Sequence, residues 1–138
     1  MEIWGTGKPK REFLWVDDLA DACVFLMERI DFEDIINLIY PELPSNPYCN
    51  LLDLVKKGKE IRNTHLNIGT GEEISIKELA SLIGKVVGFK GELFFNSEKP
   101  DGTPRKVTDV SRIHKLGWKH KVSLEEGLEK LYRWFTGS

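Results

Sequence analysis

Lys99-Pro100-Asp101-Gly102-Thr103-Pro104-Arg105-Lys106 is the stretch from which the fold of this chain is read. Two prolines and a glycine exclude a helix across it. Pro100-Asp101-Gly102 predicts a tight turn, in which proline presets φ and glycine accepts a positive φ. The apolar run Leu93-Phe94-Phe95 before it predicts a strand over Glu92–Phe95, and Asp109-Val110-Ser111-Arg112 after it opens a short helix running from Val110 to Leu116 and stopped by Gly117. A loop framed this way is expected to hold Arg105 and Lys106 near one point. A fixed cationic fork there would suit a phosphate, because it loses less entropy on binding than two mobile side chains. A solvated charged turn is the plainer reading of the same residues.

Working outward, Ser75-Ile76-Lys77-Glu78 is a capping box. It opens a helix with Ile76, Leu79, Ala80, Ile83, Val86 and Val87 on one face, closed by Gly88. Ser123-Leu124-Glu125-Glu126 is a second capping box, and the last helix is expected to bury Leu124, Leu128, Leu131, Tyr132 and Phe135. Residues 73–138 thus read helix, strand, loop, helix, short strand, helix: a small α+β unit. Before them, His65-Leu66-Asn67-Ile68 predicts a short strand ended by Gly69-Thr70-Gly71. A dinucleotide fingerprint would begin this way, but its third glycine position holds Ile74, so the segment reads as a strand-to-helix turn.

Met1 to Phe13 reads as a loop rich in Gly and Pro that carries Trp4, Lys8, Lys10 and Arg11. A stable domain seldom begins in such a loop, so the chain is expected to be part of something longer. Phe13 to Val16 is a short extended segment. Asp17 or Asp18 is expected to cap a helix whose apolar stripe is Leu19, Ala22, Cys23, Leu26, Met27 and Ile30. Pro41, Pro44 and Pro47 break residues 31–63, which predict one short helix before Pro41 and another around Leu51 to Lys57. This segment reads as an insertion, which closure entropy tolerates at a cost of only about 1–2 kcal/mol.

A length of 138 residues fits one domain, and a net charge of −2 argues against a general nucleic-acid binder. Cys23 and Cys49 form no Cys-x-x-Cys pair, and Cys23 lies on the expected apolar face, which predicts buried thiols and a cytoplasmic setting. No run is apolar enough to predict a membrane span. His65, His114 and His120 lack metal-ligand spacing. There is no nucleophile elbow and no P-loop. A Tyr-x-x-x-Lys pair is missing as well, since Tyr40, Tyr48 and Tyr132 are followed four places on by Pro44, Leu52 and Thr136. These residues can bind an anion but do not compose an acid–base centre.

Trp4-Gly5-Thr6-Gly7-Lys8-Pro9, Arg11-Glu12-Phe13-Leu14, Val16-Asp17-Asp18-Leu19-Ala20-Asp21-Ala22, Asn67-Ile68-Gly69-Thr70-Gly71, the Lys99–Lys106 string, Leu116-Gly117-Trp118 and Ser123-Leu124-Glu125-Glu126-Gly127-Leu128 occur in this order. Together they resemble the C-terminal part of the GDP-L-fucose synthase family, a branch of the extended short-chain dehydrogenases. The first and third motifs are shared with many nucleotide-sugar enzymes, whereas the Lys-Pro-Asp-Gly-Thr-Pro-Arg-Lys string is far more specific. The resemblance covers nearly the whole chain outside residues 31–63. Trp15 departs from it, since the family often has His before Val-Asp-Asp.

The resemblance implies an α/β parent with a Rossmann N-terminal domain that binds NADP(H). The parent turns GDP-4-keto-6-deoxy-D-mannose into GDP-L-fucose by epimerisation and hydride transfer, and is expected to be a homodimer. The family's glycine motif, its Ser, Tyr and Lys, and its epimerising Cys and His lie upstream of Trp4. Neither Cys23 nor Cys49 takes that role, and the chain alone is expected to be inactive and to bind no cofactor. Trp4, Arg11 and Asp101 carry over as GDP-sugar contacts, with Lys106 and Arg105 beside them. Residues 1–30 and 64–72 would pack with the missing dinucleotide-binding domain, and 73–138 would form the substrate lobe. The same half of another nucleotide-sugar epimerase or dehydratase, or a stand-alone anion-binding module, remains an alternative.

Overall fold

The computed structural model describes residues 1–41, 56, 58 and 60–137. The N-terminal stretch is not a plain loop. It supplies a strand to each of two small sheets. β1 (Glu2–Trp4) runs parallel to β4 (Phe94–Asn96), with Ile3 opposite Phe95. β2 (Lys10–Arg11) is the middle strand of a three-stranded sheet. On one side it meets β3 (Ile74–Ser75) antiparallel, and on the other β5 (Arg105–Lys106) parallel. Local pattern could not reveal these strands, because every partner lies far along the chain. Gly5 and Gly7, at φ of 85° and 73°, turn the backbone between β1 and β2.

The segment from Thr6 to Lys10 also completes the start of α3 (Ile76–Val87). The free amides of Ile76 and Lys77 donate to the carbonyls of Pro9 (3.0 Å) and Gly7 (2.9 Å). The expected capping box is present: Glu78 N donates to Ser75 Oγ at 3.2 Å, and Ser75 N to Glu78 Oε2 at 3.0 Å. Gly88, left-handed at φ 68°, closes the helix. α5 (Leu124–Thr136) packs on α3, and Lys85 pairs with Glu125 across them at 2.7 Å. Only half of the second box forms. Ser123 Oγ accepts from Glu126 N, but the Glu126 carboxylate turns to Lys130 at 2.8 Å. Leu131 and Phe135, expected inside, are exposed.

α1 (Val16–Arg29) starts without a side-chain cap, contrary to the expectation for Asp17 or Asp18. Asp17 accepts the Trp15 indole N–H instead. Asp18 is buried and accepts the amides of Lys121 (3.1 Å) and Val122 (2.9 Å). With those amides committed to a carboxylate, the short strand expected before α5 does not form. Asp21 completes the tie, accepting from Trp118 Nε1 at 2.9 Å and Lys121 Nζ at 3.0 Å. The core sits beneath, built from Ala22, Val110, Ile113 and Trp118, with Leu14, Phe25, Leu26 and Ile68 packed against it. α4 (Ser111–Lys115) carries Ile113 into it.

The buried stripe of α1 is narrower than the sequence suggests. Leu19, Cys23 and Met27 are exposed, so Cys23 is not the buried thiol expected. Residues 65–68 form no strand, since no neighbouring segment ladders with them. Ile68 enters the core and Asn67 Nδ2 donates to Asp109 O at 3.0 Å. α2 (Phe32–Ile39) is the short helix expected before Pro41, with Ile36 buried. The helix expected around Leu51 to Lys57 and Cys49 lie outside the described residues. Among the described residues no helix is long and apolar enough to cross a membrane.

Candidate functional site

The two stretches rich in cations, 4–11 and 99–106, face each other. The tight turn lies earlier than Pro100–Gly102: Lys99 N donates to Asn96 O (3.2 Å) and Glu98 N to Asn96 Oδ1 (3.0 Å). Gly102 has no positive φ. Its missing side chain gives room instead, because a Cβ there would stand 2.9 Å from Arg11 Nη2.

From that turn Lys99 reaches back, its Nζ 5.4 Å from the ring centre of Trp4, which is 69% exposed. Asp101 grips Thr6 with both oxygens, Oδ1 taking the amide at 2.8 Å and Oδ2 the hydroxyl at 2.6 Å. The Thr6 hydroxyl, then its amide, hold the Asp101 carboxyl below its usual range. Arg11 Nη1 donates to the carbonyls of Lys10 (2.6 Å) and Thr103 (2.7 Å). The guanidinium is thereby fixed at the junction of the two stretches.

β5 corrects the expectation that Arg105 and Lys106 converge on one point. Neighbours in a strand point to opposite faces. Register sets Lys10 beside Arg105 and Arg11 beside Lys106. On the first face both cations meet Glu73, Lys10 Nζ at 3.0 Å and Arg105 Nε at 2.5 Å. Arg105, then Lys10, keep the Glu73 carboxyl well ionised, its pKa lowered. On the second face Arg11 and Lys106 stand together, and among the described residues neither has an ion-pair partner. Pairing in the ladder has sorted four cations into a couple that shares one carboxylate and an open couple.

Sequence reasoning missed Glu12. Its Oε1 accepts the amides of Thr70 and Gly71, each at 2.6 Å, and the Thr70 hydroxyl at 3.3 Å. Its Oε2 accepts the amide of Thr108 at 2.8 Å and its hydroxyl at 2.5 Å. Burial would raise this carboxyl, but the Thr108 hydroxyl and the amides of Gly71, Thr108 and Thr70 outweigh it and leave the pKa lowered. The available signal was an acid next to Arg11 in a chain holding a Gly-Thr-Gly turn with no fingerprint to complete it.

The same contact answers whether Gly69–Gly71 could take the pyrophosphate of a dinucleotide. Amides that would face a phosphate face a carboxylate, which would repel it. The described residues therefore do not fit NADP at this turn. Nor do three or more His, Cys, Asp or Glu side chains gather among them as metal ligands.

A family model described as the NAD dependent epimerase/dehydratase family matches residues 1–38. Over 97% of its length the chain is 46% identical to a probable GDP-L-fucose synthase 1 of Oryza sativa subsp. japonica, covering 32% of that protein. Over 96% it is 44% identical to the GDP-L-fucose synthase of Escherichia coli (strain K12), covering 35%. Among solved structures, a GDP-D-glycero-L-gluco-heptose synthase from Campylobacter jejuni, crystallised in the presence of NADPH, superposes with a TM-score of 0.75. It is 43% identical, with 98% of this chain and 32% of that one covered. The chain thus spans about a third of the length of the relatives it matches.

In fold the chain is similar to about a third of a GDP-sugar synthase, a member of the enzymes that act on nucleotide-linked sugars. In sequence it is similar to the GDP-L-fucose synthases over a third of their length.

Proposed function

We propose that this chain forms the GDP-sugar-binding part of an NADP-dependent epimerase/reductase that makes GDP-L-fucose. The open couple of Arg11 and Lys106 carries the reading, being two neighbouring cations without carboxylates in a chain similar to GDP-sugar enzymes. In this reading both cations meet the pyrophosphate and the exposed Trp4 ring stacks on the base or sugar. Asp101 holds the Trp4-bearing turn through Thr6, and Arg105 fixes β5 through Glu73. Residues 1–30 and 64–72 pack with a dinucleotide-binding domain that supplies the nicotinamide and the proton donor, and the whole enzyme works as a cytoplasmic homodimer.

The test is a calorimetric titration with GDP. Arg11→Ala should weaken binding by about 2–4 kcal/mol, the usual cost of deleting one partner of a desolvated charge pair. An unchanged dissociation constant removes Arg11 from the site. A second reading, with a GDP-heptose as substrate, is favoured by the 43% identity to the heptose synthase. Comparing turnover of GDP-4-keto-6-deoxy-D-mannose with that of a GDP-4-keto-heptose in an assembled enzyme separates the two.

A further inference from the structure

Glu12 follows Arg11 directly, just past the end of β2, and the two side chains reach different partners. Arg11 reaches toward Thr103 on the ligand-facing loop, while Glu12 reaches the segments beyond both outer strands. Thr70 and Gly71 lie on the turn that leads into β3. Thr108 lies just past Lys106 at the end of β5. Through five hydrogen bonds, one carboxylate joins both flanks of the sheet to its middle strand.

That matters because β2, β3 and β5 are each only 2 residues long. Such short ladders fix register weakly. Gly69 lets the tie close: a Cβ there would stand 2.4 Å from Glu12 Oε1 and 2.3 Å from Thr108 Oγ1. No Lys or Arg among the described residues pairs with Glu12, so amides and hydroxyls alone balance its charge.

We propose that Glu12 is a positioning residue for anion binding, holding β3 and β5 against β2 so that Arg11 and Lys106 stay side by side. The ligand side of this inference rests on the GDP-sugar reading above. Its mechanical side does not. Glu12→Gln keeps the shape but sets an amide N–H₂ against the N–H and O–H donors at one end of the tie, leaving them unpaired.

The first readout is the order of the Arg11 side chain, from nitrogen relaxation at Nε. Glu12→Gln should leave it mobile, whereas Glu125→Gln, which frees Lys85 between α3 and α5, should leave it as ordered as in the wild type. The second is GDP affinity: Glu12→Gln should raise the dissociation constant at least tenfold, and by clearly less in an Arg11→Ala background, where only Lys106 is left to displace. A merely structural role would lower the melting temperature without this coupling. An Arg11 side chain equally ordered with and without Glu12, or additive losses in the double variant, overturns the proposal. A wild-type chain that ignores GDP would sink the functional reading, and the Arg11 relaxation would still decide the role of Glu12. Should Glu12→Gln not fold, Thr108→Val removes the hydroxyl alone and must move Arg11 mobility in the same direction.

Discussion

Gly5 shows how much one missing methyl group decides. A Cβ at this position would stand 2.3 Å from Asp101 Oδ1, on a backbone with φ of 85°. Gly5→Ala should therefore open the Asp101–Thr6 grip and strain the turn, costing about 1–3 kcal/mol. A melting curve beside a GDP titration should show both stability and affinity fall, whereas an unchanged curve would mean that the turn relaxes freely. The carboxylates make a second prediction. Glu12, Asp21, Glu73, Glu78, Asp101 and Asp109 all have lowered pKa values in the fold. A depressed carboxyl stabilises the fold in full above its ordinary value of about 4 and ceases to do so as pH falls through the lower folded value. The melting temperature should be level from neutrality to about pH 5 and drop steeply below about pH 4. A flat profile down to pH 3 contradicts the assignment.

At the scale of elements, α3 was legible from end to end, because Ser75, Glu78 and Gly88 are local signals that tertiary contacts did not override. Ser75→Ala should cost about 1 kcal/mol, measured by chemical denaturation, since the Glu78 amide loses its acceptor. The candidate site was legible only as two stretches of sequence. Trp4, Arg11, Asp101 and Lys106 were picked out by motif, and the fold does set their two stretches face to face. The splitting of Arg105 from Lys106 was not legible, because it depends on which strand β5 joins and in what register. The strands themselves were hidden for the same reason: pieces of 2 or 3 residues leave no alternation to read. Residues 65–68 erred the other way: their apolar pattern was real, but it served core packing rather than a ladder. The short strand expected before α5 gave way to the grip of Asp18 on two backbone amides.

Over the whole molecule the apolar surface is unevenly spent. α1 leaves Val16, Leu19, Val24 and Met27 exposed, and α5 leaves Leu131, Trp134 and Phe135. Faces of this kind drive association when nothing covers them. The chain by itself should self-associate and bind a hydrophobic dye, and adding a dinucleotide-binding half should suppress both. Sedimentation as a clean monomer at high concentration, with no dye bound, would count against α1 as a domain contact. The first strands carry a different consequence, for synthesis. Ile3 of β1 lies opposite Phe95 of β4, far along the chain. At a translation rate of about 5–20 residues per second, β1 would wait on the order of 5–20 s for β4 to leave the ribosome. Through that interval the nascent chain presents Ile3 and Trp4 with no strand to receive them, so this stretch of the growing polypeptide is the one a chaperone must shield longest.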